Sequence, residues 1–237
     1  MPRALVLLPL FNEAPTLSRV LDEVRRCAPG ADMLVVDDGS TDTSPQILRD
    51  HPDVTVLTHA QNEGYGQSLI DGFAYAIAYG YPAVVTLDCD EQHEPRQIPQ
   101  FLAALDGADI VSGSRYLDPA GGGDPAPPDR RQLNEEITVR LRALTGCSIT
   151  DAFCGFKAYR TAALRQMDLS EPSYGLPLQV WIQAAHRHLR VVEVATPRIY
   201  KNPERKFWGG LDDMAVRRQY YEEVLEREVA RWPGSLR

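Results

Sequence analysis

Short apolar runs alternate with segments of helical spacing through the first half of the chain, and each run ends in polar residues. Residues 4–10 form the first run, a predicted strand closed by Pro9-Leu10-Phe11-Asn12-Glu13. Leu17, Val20, Leu21 and Val24 then recur at helical spacing as far as Pro29-Gly30, which predicts an amphipathic helix. Strands are expected at about 32–37 and 54–58, with a helix near 43–50 between them. A helix over 65–79 turns Leu69, Phe73, Ala76 and Ile77 inward. Val84-Val85-Thr86-Leu87 reads as a buried strand, and Pro95, a favoured first helical residue, opens a helix running to Leu105. A fifth strand around Ile110-Val111 ends in Gly113-Ser114-Arg115. The alternation predicts an α/β fold: a mainly parallel, Rossmann-like sheet flanked by helices on both faces.

The second half is less regular. From Asp118 to Asp129 the chain turns to Gly and Pro, and this stretch reads as a loop with little secondary structure. Flanked by Arg115 and Arg131, it suits an active-site lid, ordered when donor and metal bind. Asn134-Glu135-Glu136 is expected to cap a helix carrying Ile137, Leu141 and Leu144, stopped by Gly146. A last helix over 211–231 places Leu211, Met214, Tyr221, Val224 and Leu225 on one side, with Asp212 and Asp213 in its first turn and Arg231 in its last. Its polar face mixes both signs, so docking on its own domain is expected rather than lying on lipid. The division that follows is a main domain over 1–210 and a C-terminal helical extension over 211–237 packed on it.

Chemistry gathers at the strand ends. After Val84–Leu87 come Asp88-Cys89-Asp90-Glu91-Gln92-His93, two carboxylates one residue apart followed by an amide. Asp-x-Asp alone also describes a strand end capped by solvated acids. A second acidic end, Val36-Asp37-Asp38-Gly39-Ser40, and the polar end of the first strand imply one shared crevice. In open α/β sheets ligands bind beyond the carboxyl ends of the strands. Two carboxylates and an amide oxygen there make a hard-oxygen site for Mg²⁺ or Mn²⁺ holding a diphosphate.

Composition narrows the classes. A formal charge of −8 over 237 residues argues against nucleic acid as a partner and supplies no polybasic hold on an anionic membrane. Ala4-Leu5-Val6-Leu7-Leu8 is too short for the apolar region of a signal peptide, and Gly80 and Pro82 break the longest apolar stretch. The four cysteines show neither zinc nor redox spacing. Together these predict a cytoplasmic protein, peripheral at the inner membrane face if its substrate lies there.

Pro9-Leu10-Phe11-Asn12-Glu13, Val36-Asp37-Asp38-Gly39-Ser40, Asn62-Glu63-Gly64, Asp88-Cys89-Asp90 with Gln92, Gly113-Ser114-Arg115-Tyr116 and Asp151-Ala152-Phe153-Cys154-Gly155-Phe156-Lys157 fall in an order that covers roughly residues 3–160. Each is weak alone. The ordered set resembles the inverting GT-A, family 2 nucleotide-sugar glycosyltransferases, above all the dolichyl- or polyprenyl-phosphate mannosyl- and glucosyltransferases. The resemblance implies a GDP- or UDP-hexose donor and a polyprenyl phosphate acceptor. It makes Asp90 a direct metal ligand, with Asp88 near ribose or metal and Gln92 as the third metal-side contact. Pro9, Phe11, Glu13, Val36 and Asp38 would shape the nucleoside pocket, with Cys89 where relatives carry Ala and Phe11 where they often carry Tyr. Asn62 and Gly64 fit the same wall and fit plain turn chemistry equally. Arg115, Arg131 (or Arg130) and Arg205 with Lys206 would meet donor diphosphate and acceptor phosphate. His93 is expected to brace the metal loop, and the other histidines to be surface or hydrogen-bonded residues.

One departure matters. Trp181 stands where relatives usually carry Glu. A hydroxyl acceptor needs a general base within reach, whereas a phosphate acceptor is already ionised. The missing carboxylate therefore favours phosphate, unless Asp151 serves as base or activity is lost. Transfer to a soluble or protein hydroxyl and an inactive sugar-nucleotide-binding module are the alternatives. A nucleotidyltransferase would carry a Gly-rich loop after the first strand, which this chain lacks.

Overall fold

The computed structural model describes residues 3–118, 123–201 and 209–232. Among these, strands β1 (Leu5–Leu10), β2 (Asp32–Asp37), β3 (Val54–Thr58), β4 (Ala83–Thr86), β5 (Ile110–Ser114), β6 (Lys157–Arg160) and β7 (Val191–Ala195) form one sheet in the order β3-β2-β1-β4-β6-β5-β7. β6 runs antiparallel to β4 and β5, and every other pairing is parallel. The helices are α1 (Ala14–Cys27), α2 (Ser44–Arg49), α3 (Tyr65–Ala78), α4 (Ile98–Ala104), α5 (Pro128–Thr145), α6 (Thr161–Leu164), α7 (Leu176–His186) and α8 (Met214–Arg231).

β1 shows why the sheet is covered on both faces. All six of its residues are buried, as expected for a parallel strand between two helical layers. Val6, Leu8 and Leu10 join the layer holding Leu17, Val20, Leu21 and Val24 of α1 and Phe101 of α4. Leu5 and Leu7 join the opposite layer with Leu69, Phe73 and Ala76 of α3 and Val180 of α7. A third cluster joins Leu133, Ile137 and Leu141 of α5 to Leu178 and Trp181 of α7 and Tyr221, Val224 and Leu225 of α8.

The chain leaves β1 toward β2 on one side, while β4 lies on the other. That is a topological switch point, where a crevice opens above the carboxyl ends. Register sets the acids beside it. Asp38 N–H donates to Leu10 O at 2.8 Å, and Leu87 N–H donates to Leu7 O at 3.0 Å.

Three expected boundaries move. α5 begins at Pro128, with Pro in its first turn and Asp129 following, so Asn134 is no cap but a buried mid-helix residue. Pro127-Pro128 reads as loop because Pro interrupts helices, yet Pro is also favoured at a helix's first position. In the expected loop, Gly123 bridges Arg198 and Asp124 N–H donates to Arg198 O, so part of it is tied down; residues 119–122 lie outside the described residues. Asp213 caps α8, accepting from Ala215 and Val216 N–H at 2.8 and 3.0 Å, rather than sitting in its first turn. No helix among the described residues is long and apolar enough to cross a membrane.

Candidate active site

Local turns bring the strand ends into one cleft. Asn12, at φ 56°, takes a left-handed conformation that Asn tolerates. Its Oδ1 accepts from Thr41 and Asp42 N–H at 2.8 and 3.1 Å, tying the end of β1 to the loop after β2. Asp42 then accepts from Ser44 N–H at the start of α2 and from Ala14 N–H at the start of α1. Asp38 is buried and accepts at Oδ1 from Glu63 N–H at 2.8 Å and at Oδ2 from Gly64 N–H at 2.9 Å. Gly64 is required there: its φ is 110°, and a Cβ would lie 2.3 Å from Pro172 O.

The other acidic end is built on alternation. Cys89 is turned into the core, with 2% of its surface exposed, while Asp88 and Asp90 line the cleft on either side of it. Asp90 Oδ1 accepts from Gln92 N–H at 3.0 Å, closing the turn. Glu91, at φ 61°, sends its side chain outward to Arg19 and Lys201 at 2.8 and 3.0 Å. Tyr65 Oη donates to Asp88 Oδ1 at 3.1 Å, and Asp88 N–H donates to His93 Nδ1 at 3.1 Å. His93 thus braces the acidic loop, as the sequence suggested.

Pro9, Phe11, Glu13, Asp38, Asn62, Gly64, Asp88, Cys89, Asp90, Gln92, His93 and Arg115 all line a single cleft of about 380 Å³. The far wall comes from Tyr116, Arg130, Leu133 and Phe153, from Tyr174 and Pro177 near the start of α7, and from Arg217 and Tyr221 of α8. Carboxylates therefore stand on the strand-end side. None of the residues named on the far wall carries one.

Some expected residues sit elsewhere. Val36 is fully buried with Leu5, Leu7 and Leu34 in the layer beneath, because its side chain alternates away from the cleft. Arg131 lies outside the lining; its guanidinium stacks 3.8 Å from the Tyr116 ring centroid, and Arg130 faces the cleft instead. One residue along a helix rotates a side chain by roughly 100°, and the earlier helix start decides which arginine points in. Arg205 and Lys206 lie outside the described residues.

Asp151 is no candidate base. It is wholly buried and clasped by Arg115, whose Nε and Nη2 donate to Oδ2 and Oδ1 at 2.7 and 2.9 Å. Asn134 Nδ2 and Phe153 N–H also donate to Oδ1, at 2.8 and 3.1 Å. Burial would raise the carboxyl's pKa, but the Arg115 charge and these donors hold it well below the usual carboxylate range. Glu193 of β7 supports the same loop, accepting from Thr150 N–H at 2.9 Å. Trp181 is buried too, its indole N–H donating to Ala152 O at 3.0 Å, so α7 offers no acid at that position.

Several cleft residues carry no local signature. Tyr174, Arg217 and Tyr221 arrive through the packing of α7 and α8. Gly155 was legible only as part of a motif. A Cβ there would lie 2.8 Å from Tyr65 Oη and 2.9 Å from Asp88 Oδ2. Gly155→Ala should displace Asp88 and lower kcat/KM for transfer about tenfold or more, as misplacement of a positioned group does; steady-state kinetics check it.

The profile of Glycosyl transferase family 2 matches residues 5–168, most of the chain, and the protein belongs to that family. It is a glycosyltransferase. It is 32% identical over 222 residues to undecaprenyl-phosphate mannosyltransferase of Micrococcus luteus, covering 90% of this chain and 91% of that one. It is 33% identical over 201 residues to polyprenol monophosphomannose synthase of Mycolicibacterium smegmatis, covering 81% and 76%. Dolichyl-phosphate hexose transferase of Haloferax volcanii is 30% identical over 225 residues, covering 94% and 95%. Glucosyl-3-phosphoglycerate synthase of Mycobacterium tuberculosis, solved with Mn²⁺, UDP and glucosyl-3-phosphoglycerate, shares the GT-A fold at a TM-score of 0.73 and 21% identity, covering 99% of this chain and 82% of that one.

Proposed function

We propose that this enzyme moves a hexose, with inversion, from GDP- or UDP-hexose to a polyprenyl phosphate at the membrane face. The carrying observation is the asymmetry of the cleft: among the described residues its carboxylates, Glu13, Asp38, Asp88 and Asp90, cluster at the strand ends, and the opposite wall offers arginines and aromatic rings without a carboxylate. A hydroxyl acceptor would find no base among the described residues of that wall. The relatives named for undecaprenyl-phosphate, polyprenol and dolichyl-phosphate chemistry support the acceptor class.

Asp88, Asp90 and Gln92 present oxygen donors to one cleft, a set that fits Mg²⁺ or Mn²⁺; the Mn²⁺ bound by the fold relative is consistent with it. These three would hold the ion, which when bound neutralises charge on the departing diphosphate. Asp38, with Pro9, Phe11 and Glu13 around it, would hold the nucleoside. Arg115 is already charge-matched by Asp151 and so serves as a fixed, oriented donor toward phosphate. Arg130 on the far wall would meet the acceptor phosphate, whose oxygen attacks the anomeric carbon without giving up a proton. Arg131 would act through Tyr116, stacking beneath it. Residues 1–210 would form the transferase domain, with α8 closing the acceptor side through Arg217 and Tyr221.

A panel of nucleotide sugars, each with Mg²⁺ or Mn²⁺, tests the donor, first for binding and then for transfer to polyprenyl phosphate. Transfer only to hydroxyl acceptors would refute the acceptor assignment. Arg130→Ala should raise KM for the lipid phosphate about tenfold, the worth of one charge-assisted phosphate contact. Its KM for the donor should change little, and the same kinetics read both.

A further inference from the structure

His59 follows β3 and is enclosed by carboxylates. Its Nδ1 lies 2.7 Å from Asp38 Oδ1, and its Nε2 lies 3.1 Å from Asp71 Oδ2. Its side chain is 11% exposed, Asp38 is 3% exposed and Asp71 is 38% exposed. Glu63 completes the surroundings, and the ligand atoms of His59, Glu63 and Asp71 lie within 4.8 Å of one another. The charged groups facing the ring are thus Asp38 after β2, Glu63 before α3 and Asp71 on α3; the neutral Gln67 holds Asp71 from the side, Nε2 to Oδ2 at 3.0 Å.

A neutral imidazole carries one N–H and one bare nitrogen, so it satisfies a carboxylate on one side only. Between two carboxylates, only the doubly protonated ring donates to both. We infer that His59, as an imidazolium, is a positioning residue for the donor's nucleoside: it locks Asp38 in place and offsets its charge before an anionic nucleotide enters. This rests on the reading of Asp38 as part of the nucleoside pocket.

The geometry explains the proton balance. Burial opposes the charged ring, yet the Asp38 hydrogen bond and the surrounding carboxylates outweigh it and raise the His59 pKa above its ordinary value. A raised value in the folded state means the charged contact is fully present below about pH 6.5 and is lost as pH rises through the higher folded value. On losing the proton the ring keeps one carboxylate and turns its bare nitrogen toward the other. Asp71, partly open to solvent, is the partner released, and Asp38 is left without a compensating charge beside the incoming nucleotide.

The test is the Kd of GDP and of UDP with Mn²⁺, measured by calorimetry from about pH 6 to about pH 9. His59→Asn places an amide N–H near Nδ1, keeps a bond to Asp38 and cannot titrate. The variant should bind about three- to tenfold more weakly than wild type at the acid end. The gap should close as pH rises, because wild type loses its charge while the variant does not. Asp71→Asn, a substitution at a partly exposed site, should move that closure to lower pH and carries the test if the first variant does not fold. A ratio of affinities that stays constant with pH, or wild-type affinity in both variants throughout, overturns the positioning role and leaves the donor reading standing. Failure of both GDP and UDP to bind wild type at any pH overturns both.

Discussion

Asp90→Ala lowers the rate of sugar transfer about a thousandfold or more and leaves the melting temperature unchanged. The two halves have separate causes. Asp90 lies in the turn after β4 and lines the cleft, and the bond it accepts from Gln92 N–H closes a local turn rather than joining layers. Little packing is lost when it is removed. In the proposed reaction negative charge would gather on a leaving diphosphate, and a divalent ion held at the strand ends would be worth several kcal/mol of transition-state stabilisation. Each ~1.4 kcal/mol is about tenfold in rate, which sets the size of the effect. Transfer assays with added Mn²⁺, beside thermal unfolding of both proteins, check it. Retained Mn²⁺-dependent turnover would refute the assignment of Asp90.

Asp151→Asn has the opposite profile. It should destabilise the fold by about 3 kcal/mol or more, because breaking a buried ion pair leaves one charge uncompensated. The charge left is Arg115, only 21% exposed and aimed at the vacated carboxylate. For a chain of this size that shifts Tm by roughly 10 °C. Activity should fall as well, since Arg115 lines the cleft and its direction depends on this pair. Unfolding curves decide the matter: a variant with wild-type stability and no turnover would instead point to a chemical role for Asp151. The pair also gives acid sensitivity. The Asp151 carboxyl is depressed in the folded state, so its contribution is present above about pH 4 and is lost as pH falls below that value.

The strand-end half of the site was legible because it is local. Asp88 and Asp90 flank Cys89 just past the end of β4, and with Cys89 buried in the core both acids are left on the cleft. Asp38 follows β2 directly, and parallel register with β1 fixes its height. Val36 was misplaced because alternation decides which strand residues turn away. The far wall was less legible. Arg130 and Arg131 differ only by one step along α5, and the choice depends on a helix start hidden in Pro127-Pro128. Arg217 and Tyr221 enter through the docking of α8 on α5 and α7, a tertiary event that the spacing of its apolar residues suggests without saying what the helix covers. β6 and β7 were not foreseen. β6 has only four residues and is set by pairing between β4 and β5, and the burial of β7 is only partial, which weakens the hydrophobic signal.

Asp151 shows how a motif and a role can separate. Its sequence neighbourhood resembles that of related transferases, yet its environment decides what it does. A wholly buried carboxylate with five donors around it holds an arginine in place; a base must reach the substrate. The same logic applies to His59, which carries no motif and whose neighbours come from three different segments.

In the proposed activity, acidic strand tips grip a nucleotide diphosphate through a divalent ion. The most direct measurement is calorimetric titration of GDP and UDP into the protein with Mn²⁺ and again with excess chelator, for wild type and for Asp90→Ala. Tight binding of one nucleotide by wild type with Mn²⁺, falling at least about tenfold with chelator or in the variant, is the expected result. Equal affinity with and without the ion, in both proteins, would contradict it.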